Sequence, residues 1–181
     1  MSGQLFIVSG PSGAGKSSLC TALLEKQANL QLTVSCTTRS PRPGEVEGRE
    51  YHFLKREAFE AQRDQGAFLE WALVHGNLYG TRQDDVESIM ASGSNVLLEI
   101  DWQGAAQVAE KIPAAKRLFI LPPSLDALRQ RLTTRAQDAS DVVELRVAAA
   151  EEEMSHAGEA HYRVINDDFD QALAQLLKIF S

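Results

Sequence analysis

At 181 residues, with 44% hydrophobic and 24% charged side chains, the chain has the size and make-up of one globular domain, which excludes an extended disordered protein. A formal net charge of -7 argues against broad nucleic-acid binding, although arginines gathered in one place can still serve an anionic substrate. No apolar run approaches the roughly 20 residues of a membrane span. Met1-Ser-Gly-Gln lacks the start of an export signal, and Cys20 and Cys36 lack redox or metal spacing, so a cytoplasmic protein with two free thiols is expected.

In chain order, Leu5-Phe-Ile-Val8 is a continuous apolar run that suits a strand covered on both faces. Gly10–Gly15 follows, then a helical stripe over Lys16–Gln27. Leu32–Ser35, Val96–Ile100, Leu118–Leu121 and Tyr162–Ile165 are expected as further strands. Helices are expected over roughly Gln83–Ala91, Gly104–Lys111, Ser124–Thr134, Val142–His156 and Asp168–Phe180, with Ser124 capping after two prolines. Strands alternating with helices predict an α/β fold around a mostly parallel sheet. The stretch from Cys36 to Tyr79 breaks that rhythm: a polar loop with Pro41, Pro43, Gly44 and Gly48 precedes strand-like Tyr51–Phe53 and Phe68–Val74. Gly76-Asn77 reads as the turn of a hairpin that returns through Leu78–Thr81. A small β-rich lobe inserted in an α/β core is expected here, a common place for a second substrate.

Gly10-Pro11-Ser12-Gly13-Ala14-Gly15-Lys16-Ser17 fits the P-loop pattern G-x-x-x-x-G-K-[ST] between a strand and a helix. Its main-chain N–H groups and the helix N-terminus suit phosphate oxygens, Lys16 suits the β- and γ-phosphates, and the Ser17 hydroxyl suits Mg²⁺. Glu99 and Asp101 close the strand Val96–Ile100 and, two apart, would share a face. They could serve Mg²⁺, a substrate donor group or both, and Glu99 could equally be a solvated strand-end charge. Between Ser35 and Tyr51, Arg39 and Arg42 flank a stiffening proline, an arrangement suited to a phosphate monoester. Arg131 and Arg135 are four apart on one helix face, with Arg146 beyond the acidic stretch Gln137–Glu144; salt-bridged helix surface is the plain alternative. The four histidines match no ligand spacing.

Taken together, GPSGAGKSS, SCTTRSPRPGEVEGREYHF, FLEWALVHGNLYGT, LLEIDWQG and VINDD resemble the guanylate kinase family, in its order and spacing, over almost the whole chain. The resemblance implies a P-loop nucleoside-monophosphate kinase fold over residues 3–181, with a GMP-binding lobe at about 36–90 and a helical lid at about 126–150. It implies transfer of the γ-phosphoryl group of MgATP to GMP and dGMP. Arg39, Arg42, Tyr51 and Tyr79 would hold the GMP phosphate; Ser35, Glu70 and Thr81 would face guanine, with Asp101 nearby. Gly10–Ser18, Arg131, Asn166 and Asp167 would hold ATP, Ser17 and Asp101 would direct the metal, and Lys16, Arg42, Arg135 and Arg146 would act on the moving phosphoryl group. Glu99 stands where the family generally has Asp, and Thr134 and Ala136 flank Arg135 where glycines are common. Two other readings of the same lineage are a non-catalytic binding module and a ribose-bisphosphate kinase; the intact P-loop and the guanine-facing set weigh against them. Subunit association is left open.

Overall fold

The structure is a computed structural model and describes residues 3–134 and 140–180, the side chains at 140–142 excepted. Leu5–Ser9 forms β1, with all five residues buried, as its unbroken apolar run predicts. It is followed by α1 (Lys16–Lys26), β2 (Leu30–Leu32), β3 (Cys36–Thr37), β4 (His52–Phe53), α2 (Arg56–Asp64), β5 (Phe68–Val74), β6 (Asn77–Arg82) and α3 (Gln83–Ala91). Next come β7 (Asn95–Glu99), α4 (Trp102–Lys111), β8 (Lys116–Leu121), α5 (Leu125–Thr134), α6 (Ser140–Ser155), a 3-10 turn at His156–Glu159, β9 (Tyr162–Ile165) and α7 (Phe169–Phe180). One sheet has the order β2-β7-β1-β8-β9, with β2/β7, β1/β8 and β8/β9 parallel; the other has the order β4-β3-β6-β5. The fold is therefore α/β, a parallel sheet with helices, as expected. Among the described residues no helix is long and apolar enough to cross a membrane.

The chain divides into two units. The first comprises Met1–Leu5, Leu30–Leu98 and Gln103–Ala115. In it the small sheet packs on α2, where Phe59, fully buried, stacks on Phe68 at 4.4 Å and joins Cys36 and Leu78 in one apolar cluster. The hairpin turn is His75-Gly76, because Val74 pairs with Asn77; both turn residues have positive φ, 48° and 80°, which matches the twist of the flanking strands. The turn is thus one residue earlier than Gly76-Asn77. Near the other end of β5 the register shifts between Phe68 and Glu70, so Leu69 is an extra residue.

The second unit comprises Phe6–Asn29, Glu99–Trp102 and Lys116–Ser181. Phe6 stacks on Phe180 at 4.1 Å, seating α7, and Trp102 lies flat on His156 at 3.7 Å and 7°. Helices α5 and α6 close on each other through Leu128, Leu132, Val143, Val147 and Ala150. Ser124 caps α5 as expected, its hydroxyl accepting the Ala127 N–H at 3.0 Å.

Other local details also differ from expectation. The strand expected at Leu32–Ser35 is β2 at Leu30–Leu32, followed by a break before β3. Helix α2 (Arg56–Asp64) is an element that the sequence reading lacks; Phe59 is its one buried residue. β7 ends at Glu99, so Asp101 lies in the turn into α4, and the argument that it shares a strand face with Glu99 does not hold.

Candidate functional site

The second unit carries the glycine loop, which leaves β1 at Gly10 and enters α1 at Lys16. Gly10 has φ 139°, and a Cβ there would lie 2.2 Å from the Ile120 carbonyl oxygen; only glycine lets the loop leave this close to β8. Within the loop the Ala14 N–H donates to Pro11 O at 3.1 Å. Lys16 Nζ folds back on the loop, donating to Gly10 O at 2.6 Å and Pro11 O at 3.4 Å. Neutral carbonyls do not compensate the ammonium charge, and an anionic oxygen would add an ion pair to the hydrogen bond. The Ser17 hydroxyl donates to Glu99 Oε1 at 2.5 Å, so Glu99 is a partner of the loop rather than a solvated charge.

Beside the loop is a cavity of about 620 Å³, a volume that suits a nucleoside. Its lining includes Gly13, Gly15, Ser18, Arg131, Asn166 and Asp167, all anticipated as triphosphate residues. Asn166 also holds the wall together. Its side-chain amide donates to Ala14 O at 2.8 Å, its N–H to Leu121 O at 2.8 Å, and its carbonyl accepts from the Arg131 guanidinium at 2.7 Å. From α6, Glu153 accepts the Ser12 N–H, so a carboxylate already rests against the phosphate-binding loop. Burial pushes the Glu153 carboxyl above its usual range; nearby Lys16 opposes this and Asp101 adds to it.

In the first unit the expected acceptor residues form two groups. Arg39 donates to Glu45 Oε1 at 2.9 Å and to Ser40 O at 2.7 Å, and is also bonded to the Tyr79 hydroxyl. Its guanidinium lies 5.4 Å from the centre of the Tyr51 ring, and Tyr51 meets Tyr79 edge-on at 5.9 Å. Glu45 also takes the Arg42 N–H at 2.7 Å, and the Arg39 guanidinium holds its carboxyl below the usual carboxylate range. The Arg42 side chain is exposed. In the second group, Glu70 is only 3% exposed, and its Oε1 accepts the hydroxyl of the fully buried Thr81 at 2.6 Å. Ser35 lies just before β3, its carbonyl accepting the His52 N–H at 2.9 Å.

The structure thus groups Arg39, Tyr51 and Tyr79, pairs Glu70 with Thr81, and sets Lys16 and Ser17 in the loop. Arg146 is half-buried on α6. Arg135 lies outside the described residues. Missed from the sequence were Glu45, Glu153, and the cavity residues Pro123, Gln130 and Phe169. Glu45 had a readable signal, a Pro-Gly turn that folds a carboxylate back onto Arg42. Glu153 sits in Ala-Glu-Glu-Glu-Met, which resembles a solvated helix face and gave none.

Among the described residues no group of three or more His, Cys, Asp or Glu could hold a metal by itself. The Ser17 hydroxyl and the Glu99 carboxylate are hard oxygen donors side by side, which fits Mg²⁺ held jointly with phosphate oxygens.

The family model described as "Guanylate kinase" matches residues 2–181. The chain is 55% identical over 177 residues to a guanylate kinase of Cupriavidus metallidurans, covering 98% of this chain and 82% of that one. It is 54% identical over 176 residues to a guanylate kinase of Idiomarina loihiensis, covering 96% and 84%. A crystal structure of guanylate kinase from Anaplasma phagocytophilum is similar with a TM-score of 0.82 at 33% identity, over 99% of this chain and 85% of that one.

Proposed function

The chain belongs to the guanylate kinase family, and from that premise we propose how its own residues carry out the family's reaction. It is an ATP:GMP phosphotransferase, using ATP as phosphoryl donor and giving ADP and GDP. The observation that carries the assignment of residues is the buried Glu70–Thr81 pair in the same unit as the Arg39–Tyr51–Tyr79 cluster. Guanine offers N1–H and N2–H₂ as adjacent donors, and a carboxylate accepts from both. Adenine would present an acceptor there and leave buried polar groups unpaired, which is how such a site rejects an analogue. Thr81 fixes the carboxylate, and Ser35 and Asp101 complete the guanine-facing set. Arg39, Arg42, Tyr51 and Tyr79 take the GMP phosphate, which replaces part of what Glu45 now supplies to Arg39. dGMP carries the same base and phosphate and is proposed as a second acceptor.

The ATP phosphates lie on the main chain of Gly10–Ser18, the adenosine occupies the cavity by Arg131, Asn166 and Asp167, and Lys16 leaves the Gly10 carbonyl for the β- and γ-phosphates. A GMP phosphate oxygen forms a bond to the γ-phosphorus as the bond to the β–γ bridging oxygen breaks, and that electron pair leaves with ADP. The attacking oxygen is already anionic, so no general base is needed. Lys16, Arg42, Arg135 and Arg146 stabilise the charge on the moving group. Mg²⁺, held by Ser17 and Asp101 with the Glu99 carboxylate beside Ser17, would supply further charge neutralisation on the phosphate oxygens. Exclusion of water from the transferring phosphoryl group is what spares ATP from hydrolysis. The protein acts in the cytoplasm, where both nucleotides are found.

The test is ADP formation from MgATP with GMP, dGMP, AMP, CMP, UMP or no acceptor, run in parallel. Turnover confined to GMP and dGMP is expected. Comparable turnover with AMP would overturn the Glu70 assignment, and guanine binding without turnover would point to a binding module.

A further inference from the structure

Strand β5 is the edge of the small sheet, and Glu70 sits beside its irregularity. Phe68 faces Arg82 and Glu70 faces Thr81, so two steps along β5 match one along β6 and Leu69 bulges out. A bulge on an edge strand is a place where register can slip, and a slip of one residue would turn Glu70 outward and bring a neighbour inward. Both neighbours of Glu70 are tied down by a single helix. Lys111 Nζ donates to Leu69 O, and the Gln107 carboxamide makes two bonds to Trp71, donating to its carbonyl at 2.7 Å and accepting its N–H at 3.1 Å. Gln107 and Lys111 are four apart, one turn along the same face of α4. A primary amide is the side chain that can answer both main-chain groups of one residue, so Gln107 behaves as one more strand residue at that point.

We propose that Gln107 and Lys111 are positioning residues for guanine recognition, holding the bulged edge of β5 so that the Glu70 carboxylate meets Thr81 and the base. The inference rests on Glu70 being the guanine-facing residue. Covering an edge against unwanted strand pairing would explain some side chain over β5, but any stretch of the edge would serve that purpose. The bonds fall on the two residues that flank Glu70.

The experiment compares Gln107→Met, Gln107→Glu, Lys111→Met and Lys111→Arg with the parent protein and with Glu70→Gln. For each, kcat and KM are measured for GMP, inosine monophosphate and ATP, together with the melting temperature. Inosine monophosphate lacks the 2-amino group, so it reads one of the two bonds that Glu70 makes. Gln107→Met and Lys111→Met should raise KM for GMP about tenfold, the scale of a small misplacement of a binding group. They should lower the ratio of kcat/KM for GMP over inosine monophosphate, leave KM for ATP within about twofold and change kcat less than KM. Lys111→Arg keeps a cationic donor and should recover most of the loss. Gln107→Glu keeps the acceptor for Trp71 N–H but loses the donor for its carbonyl, and should not. A lower melting temperature with the GMP preference intact would overturn the inference, as would GMP and ATP parameters falling together. If Glu70→Gln itself leaves the GMP preference unchanged, the assignment of Glu70 fails. If Glu70→Gln abolishes that preference and the α4 variants do not alter it, only the positioning role fails.

Discussion

The groups proposed to meet phosphate differ between the units: in the second they are main-chain amides of Gly10–Ser18 with the Lys16 ammonium beside them, and in the first they are side chains converging from separate elements. The glycine loop needs a particular backbone path, which is why Gly10 meets Ile120 O so closely. The Arg39 cluster needs instead a set of partners: Glu45 neutralises the guanidinium, while Tyr51 and Tyr79 wall it in. A backbone site is built once by the fold. A side-chain site must exchange one counter-ion for another each time its ligand arrives. The donor site should therefore be sensitive to backbone geometry, and the acceptor site to charge and to the packing beneath it.

The strongest way to break this comparison is Lys16→Met, which should lower the rate of phosphoryl transfer by about a thousandfold, the scale for losing one stabiliser of transition-state charge. GMP affinity, measured by calorimetric titration, should stay within about twofold; a matching loss there would mean the two sites are not separable in this way. Next in size, Phe59→Ala removes a fully buried ring stacked on Phe68 and should cost about 3–5 kcal/mol. Hydrogen exchange should then show β5 and β6 losing protection before β1 and β8. A third contrast sets Gly10→Ala against Gly44→Ala. Both have positive φ, but a Cβ at Gly10 meets a main-chain carbonyl, whereas at Gly44 it meets nothing within 4 Å. Gly44→Ala should cost about 1–2 kcal/mol, the left-handed penalty alone. Gly10→Ala should cost more and weaken ATP binding as well, and equal melting temperatures would refute the dependence on backbone path. The smallest effect concerns the alkaline limb. Burial pushes the Cys36 thiol up to about 11, so the folded state keeps a proton that the unfolded chain, with its ordinary value near 9.0, gives up. Between those values stability falls as pH rises, and urea midpoints for Cys36→Ala should fall less steeply there than those of the parent.

The strand, glycine loop and helix were legible because spacing alone encodes them: Gly10, Gly15, Lys16 and Ser17 after an apolar strand leave few other structures open. The strand Tyr162–Ile165 and the helix Gln83–Ala91 were equally plain, each having clear boundaries. Residues whose role depends on distant partners were not. Glu70 and Tyr79 were named through family resemblance, since a charge and an aromatic in a hairpin carry no chemistry of their own. β2 was displaced because Leu30, Leu32 and Val34 alternate evenly, and only pairing with β7 decides which of them form the strand. Asp101 was placed on a strand because periodicity cannot see that the chain turns after Glu99. Gln107 and Lys111 look like ordinary polar helix positions until the edge they hold is present.

The Asn166 amide reaches across 152 residues of chain to the Ala14 carbonyl. The glycine loop and the residue that props its wall are thus made far apart in time, with most of the intervening chain synthesised between them. Contacts of such long range form late, because the chain between them must first be ordered. The glycine loop therefore gains its finished wall only once β9 has docked on β8 and brought Asn166 to Ala14.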